Sequence, residues 1–261
     1  MQISIKNFHR INRLLLSLLC FTPLLFHSLE ANEYTKQVVL EAYPKWYSSD
    51  NITFQGNIGV EKLFTESNWI SYYSKPSMTY ALNKNWALHG GLGYYYTEYK
   101  QLNDTYEIRP FLGISHFTNL NDTWSISTYF RTEERYHYST ETDNRSKNTR
   151  LRLRFRTAYL FNPISIPDRW HKATLGIEAF KSYNTNDSLE QLYDYQTNIT
   201  LGLERSLKNK QKLRFELAWK YKAALDQLRD ASINTVFFKI QYYPRWGDLL
   251  RNRLMERDID E

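Results

Sequence analysis

From residue 36 onward the chain alternates apolar and polar residues in runs of about ten to sixteen, the two-residue period of a β-strand. In 210–222 one face reads Leu213, Phe215, Leu217, Trp219 and Tyr221, and the other reads Lys212, Arg214, Glu216, Lys220 and Lys222. In 51–64, Ile52, Phe54, Ile58 and Val60 oppose Thr53, Gln55, Asn57 and Glu61; 68–82 repeats the pattern with Ile70, Tyr72, Met78 and Tyr80. The pattern predicts strands near 36–47, 51–64, 68–82, 86–99, 104–117, 122–138, 148–161, 172–183, 193–206, 210–222 and 233–243. Most exceed the five or six residues usual in globular sheets and reach the nine to eleven that a tilted strand needs to cross a bilayer.

This predicts an all-β fold: a transmembrane antiparallel up-and-down β-barrel of about 10–12 strands. The direct reading counts eleven. Bacterial single-chain barrels carry an even number, so twelve is the expectation, with one strand missed or with 36–47, interrupted by Pro44, incomplete. A secreted soluble β-sandwich is the alternative that alternation leaves open, although sandwiches use shorter strands. Polar connections at Ser139–Lys147, 184–192 and 223–232 lie on one side. Short turns at Asn83–Asn85, Asn119–Asn121 and Lys208–Lys210 lie on the other, with 162–171 as a long exception. Barrels place short turns in the periplasm.

The N-terminus sets the compartment. Lys6, Arg10 and Arg13 precede an apolar run from Leu14 to Phe26, with Ser28 and Ala31 after it. That is a secretory signal layout, too short for a spanning helix, and cleavage is expected after Ala31. Domains follow as a signal peptide at 1–31, an outer-membrane barrel at 32–243 and a C-terminal tail at 244–261 with a short helix. Localisation is then the Gram-negative outer membrane. The single cysteine, Cys20, falls within the signal, which excludes thiol chemistry and disulfides in the mature chain.

Composition agrees. Tyr occurs 21 times, Phe 14 and Trp 7, while mean hydropathy is only −0.62, as expected of a sheet with one lipid face and one wet face. Removing 1–31 leaves 31 Lys+Arg (34 less three) and 27 Asp+Glu (28 less one), a net +4. These charges are dispersed among strands, so nucleic-acid binding is not expected. The expected partners are outer-membrane lipid, the barrel-insertion machinery and small anionic solutes.

Candidate chemistry concentrates in 122–161. Arg131, Glu133, Arg135 and His137 share one face of the first strand; Arg150, Arg152, Arg154 and Arg156 share one face of the second. An arginine facing lipid at the midplane costs about 2–4 kcal/mol, so these residues are assigned to the lumen. A symmetric turn would set Glu133 opposite Arg154, and Arg135 opposite Arg152. The same alternation points Glu61, Glu107, Glu178, Glu204 and Glu216 inward, with Lys75, Arg109, Arg214, Lys220, Lys222 and Lys239. Excess luminal positive charge suits a narrow anion-preferring channel; Arg–Glu networks filling a plugged structural barrel are the other outcome. His137 and Ser139 near a rim raise an outer-membrane lipid hydrolase or protease as an alternative, but no orienting group or oxyanion site accompanies them. No catalytic residue, metal site or cofactor is assigned.

Several of these segments carry a family resemblance: Gly93-Tyr94-Tyr95, Glu107-Ile108-Arg109-Pro110, Arg131-Thr132-Glu133-Glu134-Arg135 and the Arg150–Arg154 ladder. Across Tyr80–Phe161 they resemble the uncharacterised outer-membrane barrels grouped as domain of unknown function 2490 (DUF2490). The resemblance implies a barrel of unassigned activity and carries over no catalytic residue. The arginine pattern also resembles oligogalacturonate-type porins, narrow barrels with arginine tracks for acidic sugars.

Overall fold

The computed structural model describes residues 33–64, 68–100, 102–141, 145–162, 168–183, 196–208, 211–222 and 233–244. The expected signal peptide, the tail beyond Pro244, and the segments 184–195 and 223–232 lie outside them. Fourteen strands form one sheet: β1 (Glu33–Ala42), β2 (Lys45–Ser48), β3 (Ile52–Gln55), β4 (Ile58–Phe64), β5 (Trp69–Ser74), β6 (Ser77–Ala81), β7 (Trp86–Tyr99), β8 (Thr105–Asn119), β9 (Trp124–Ser139), β10 (Arg145–Leu160), β11 (Trp170–Tyr183), β12 (Gln196–Ser206), β13 (Lys212–Lys222) and β14 (Ile233–Tyr243).

The first six make three wall crossings, each broken once, so the chain crosses the wall eleven times. The breaks fall at Tyr43–Pro44, Gly56–Asn57 and Lys75–Pro76, side by side. Proline removes a ladder donor, yet backbone bonds continue across the kink: Gly56 N donates to Pro44 O at 2.9 Å, and Lys75 N to Asn57 O at 2.7 Å. Pro44 therefore bends the first crossing without ending it.

The sheet closes on itself, with β7 bonded to β8 and β1 bonded to β14. It is an eleven-strand barrel, not the twelve that parity suggested and not a two-sheet sandwich. Closure is reconciled with an odd number by one parallel seam, Thr35 opposite Thr235 and Val39 opposite Lys239. All other pairings are antiparallel. An odd number of crossings also puts the start of β1 and the end of β14 at opposite ends of the barrel.

Two turns at one end share a construction. Asn83 Oδ1 accepts from Asn85 N (2.8 Å) and Trp86 N (3.0 Å); Asn121 Oδ1 accepts from Thr123 N (2.9 Å) and Trp124 N (2.8 Å). Side-chain amide oxygens thus reinforce turns that backbone bonds also close, Leu82 N donating to Trp86 O and Leu120 N to Trp124 O, each at 2.9 Å. This turn end carries Trp46, Trp86, Trp124 and Trp170. The opposite, loop end is where 184–195 and 223–232 connect strands, with Tyr94, Tyr96, Tyr106, Tyr138 and Tyr183 at its level. The connection expected at Ser139–Lys147 is shorter at both ends, because β9 runs to Ser139 and β10 starts at Arg145.

The outside of the wall is apolar. Leu40, Ile58, Leu88, Leu112, Phe130, Leu153, Phe155, Leu175, Ile177, Leu203, Leu217 and Phe238 are exposed. The inside is polar: most of the deeply buried side chains are charged or amide groups. The polarity is the inverse of a water-soluble protein's, and it follows directly from the alternation.

Candidate functional site: the charged lumen

The β9–β10 pair sets the register of the site. The turn is tighter than a symmetric Ser139–Lys147 loop, since pairing already begins at Tyr138–Arg145. Glu133 therefore sits opposite Arg150, Arg135 opposite Asn148, Arg152 opposite Arg131 and Arg154 opposite Tyr129. That corrects the expected pairs by four residues, and it determines which charges meet.

Glu133, 1% exposed, receives Arg150 Nη2 at 2.6 Å and Nε at 3.0 Å. Arg131 Nε lies 2.8 Å from its other oxygen, and Arg109 lies at 3.9 Å. Glu107 is clasped by Arg109 (2.7 and 2.8 Å) and Arg135 (2.7 and 3.0 Å). Arg152 donates to Glu178. Aromatic faces carry further cations: Arg109 lies 4.0 Å over Tyr95, Arg131 3.7 Å over Phe111 and Arg154 5.1 Å over Tyr129. Arg131 and Arg152, like charges directly opposite, each have a carboxylate partner, Glu133 and Glu178, which offsets the repulsion such a pair would otherwise carry.

Toward the turn end a second layer of side chains closes the lumen. Glu204 binds His171 (2.8 Å), Lys172 (3.2 Å) and Lys212 (3.5 Å). Arg214 reaches Glu216 at 3.2 Å and donates to Thr174 Oγ1 at 2.9 Å. Glu41 accepts from Tyr73 (2.5 Å), Tyr43 (2.7 Å), Gln241 (2.9 Å) and Asn57 (3.1 Å), with Lys239 at 3.5 Å and Lys75 at 3.9 Å. A Cβ on Gly59 would lie 2.5 Å from the Tyr73 hydroxyl, so glycine there makes room for the Tyr73–Glu41 bond. His89 is held between Thr79 (3.0 Å) and Ser115 (2.8 Å), edge-on to Tyr129. These groups are nearly inaccessible: His171 is 0% exposed, Arg214 1% and His89 2%. Together they form a floor.

Above the floor lies a cavity of about 960 Å³ that extends to the loop-end rim at Tyr34, Phe64, Trp69 and Tyr99. Nine basic residues line it (Lys75, Arg109, Arg131, Arg150, Arg152, Arg154, Arg156, Lys220, Lys239) against six acidic ones (Glu41, Glu61, Glu107, Glu133, Glu178, Glu216). Of the other residues assigned to the lumen, Arg135, Glu204 and Arg214 are buried in the inner wall and the floor. Lys222 ends β13 opposite Gln196 and Ile233, and its side chain lies outside the described residues.

Sequence reading missed Glu41, Lys172, His171 and His89 as inner groups; it placed Lys212 on the polar face of its strand with Arg214 and Glu216. Glu41 could have been found by continuing the Gln37–Val39 alternation past the doubt raised by Pro44. His171 could not, because a register shift between Trp170 and Lys172 lets both His171 and Lys172 turn inward.

The rim pair does not assemble. Ser139 Oγ accepts from Glu141 N at 3.4 Å and makes no hydrogen bond to His137 among the described residues; His137 Nε2 faces Glu107 at 3.6 Å. Nor do three His, Cys, Asp or Glu side chains cluster as metal ligands among the described residues.

A family model described as "Protein of unknown function (DUF2490)" matches residues 37–229. No curated protein matches the sequence. Among solved structures, the β-domain of the Bordetella autotransporter BrkA is similar, with 12% identity and a TM-score of 0.47 over 69% of this chain and 80% of that one.

Proposed function

The chain belongs to the DUF2490 family of proteins of unknown function, and we propose that it is an outer-membrane barrel with a blind lumen, open at the loop end and shut at the turn end. The observation that carries this reading is the floor: His89, His171, Lys172, Glu204 and Arg214 are buried from water and take no part in the cavity's lining, while Glu41 and Glu216 form the bottom of the cavity above them. A water-filled conduit would leave those ionic groups wet. Of the two possibilities raised by the luminal charge, the floor favours a plugged barrel over a channel.

Membrane placement is supported by the wall itself. Its outer face exposes Leu112 at 67% and Leu217 at 52%, which water would penalise and lipid would not. A closed barrel leaves no unpaired strand edge in hydrocarbon, as a spanning sheet requires. Aromatic side chains at both ends match the two interfaces of a bilayer. With the longer connections placed outside, the cavity faces the exterior and the turn end faces the periplasm. The odd strand number then puts the start of β1 outside and the end of β14 inside.

Epitope tags test this reading. In intact cells, a tag after Asn32 and a tag within 223–232 bind antibody, and a tag after Glu261 binds only once the outer membrane is opened. Recovery of the protein in the soluble fraction without detergent would overturn membrane placement. Terminal tags on one side would overturn the eleven-crossing topology.

A further inference from the structure

The cavity contains a recess on one wall. Across β10 to β14 one row reads Arg156, Gly176, Thr200, Ala218 and Phe237. Gly176 and Thr200 line the cavity, whereas Ala218 is covered in the apolar cluster of Val39, Tyr73 and Phe237, so the open part of the row lies over β11 and β12, about 4.8 Å apart at the backbone. The next row toward the loop end reads Arg154, Glu178, Asn198, Lys220 and Thr235. Cations therefore stand on both sides of a gap in an otherwise filled lumen.

Two groups here have uncommitted bonding capacity. Lys220 Nζ donates to Gln37 Oε1 at 3.3 Å and lies 5.3 Å from the Phe237 ring, but meets no carboxylate within 4.0 Å among the described residues. Thr200 lines the cavity with no side-chain hydrogen bond to a described residue. Glu178, the acid in the recess, is already engaged by Arg152 and by Asn198 at 3.5 Å. Glu61, on β4 across the lumen, makes no ion pair among the described residues but is the foremost opposite charge acting on Lys220, without a hydrogen bond to it. Nine basic against six acidic lining groups leave an excess of three positive charges. Low-dielectric walls around such an excess concentrate anions. A volume of about 960 Å³ falls within the range for sites that hold one small molecule.

We propose that this recess binds a small, multiply anionic solute, with one carboxylate or phosphate group between Arg154, Arg156 and Lys220 over Gly176 and Thr200. The site rests on the blind-lumen reading only in being a terminus rather than a step along a pore. Arginine supplies the planar fork that oxyanions bind in pairs, and lysine a point charge.

The test uses the folded full-length barrel in detergent micelles and pyranine, an aromatic trisulfonate dye, followed by fluorescence anisotropy. Saturable binding to one site is expected, weakening as salt rises. Arg154→Gln with Lys220→Gln should weaken it at least tenfold while leaving the heat-modifiable gel shift intact. Thr200→Phe, which fills the recess without changing charge, should do the same. Displacement by citrate or by tripolyphosphate supports the site and identifies carboxylate or phosphate as the better ligand. Three outcomes overturn it: no saturable binding to a heat-modifiable barrel, equal binding of the cationic dye rhodamine 6G, or wild-type affinity in both variants. A barrel that conducts yet binds pyranine refutes the blind lumen and keeps the site; a silent barrel that binds nothing does the reverse.

Discussion

Replacing Glu133 with glutamine keeps the shape of the side chain and removes one charge from the centre of the inner wall. In the wild type that carboxylate takes two hydrogen bonds from Arg150 and an ion pair from Arg131 at 2.8 Å, and its side chain is fully shielded from solvent. Glu133→Gln leaves these guanidiniums facing each other with their negative partner gone. Removing one member of a buried ion pair costs about 3–5 kcal/mol. The adjoining cavity admits water to the Arg150 side, so the lower half of that range applies, or about a hundredfold to a thousandfold in the unfolding equilibrium. Urea titration of the purified barrel in micelles, read by loss of the heat-modifiable gel form, measures it. Glu61→Gln is the internal control: it removes a carboxylate from the same lumen that has no ion pair among the described residues, and should shift stability by less than about 0.5 kcal/mol. Equal effects from the two substitutions would refute the reasoning, because they would mean that luminal carboxylates act through net charge and not through their contacts.

The parallel seam can be locked. Thr35 and Thr235 are register partners with hydroxyls 2.6 Å apart, so Thr35→Cys with Thr235→Cys should form a disulfide in the folded barrel and raise its stability by roughly 5 kcal/mol on the chain-entropy model; a folded barrel whose thiols stay reduced under oxidant would mean that β1 does not pair there. Leu112, two-thirds exposed on the outer face, distinguishes lipid from water: Leu112→Arg should lower folding stability by about 2–4 kcal/mol in a bilayer and cut the yield of heat-modifiable protein in membranes, whereas unchanged yield would mean that this face is wet.

The strand order and the assignment of faces were readable because barrel alternation is local: Leu213 to Tyr221 give one face with no knowledge of the neighbours. Pairing partners were not readable, because register depends on turn length. A connection drawn at Ser139–Lys147 misplaced every cross-strand charge pair by four residues even though each strand was found. Closure was hidden for a similar reason. Parity held the expectation at twelve, and a parallel bond between the first and last strands leaves no local mark in either. The floor was partly visible through Glu204, Arg214 and Glu216, but its other members depend on the kink at Pro44 and the register shift at Trp170–Lys172, where strict alternation fails. The outer face is set by simple avoidance of charge in lipid and is the most legible feature of the chain.

Single-channel recording in a planar bilayer under a salt gradient addresses the shut lumen most directly. Barrels inserted in their heat-modifiable form should produce no current steps above a protein-free bilayer, with the floor of Glu204, Arg214 and Glu41 in place. Discrete ohmic steps from the wild type, with a reversal potential toward that of the anion, would show an open basic pore and contradict the blind lumen.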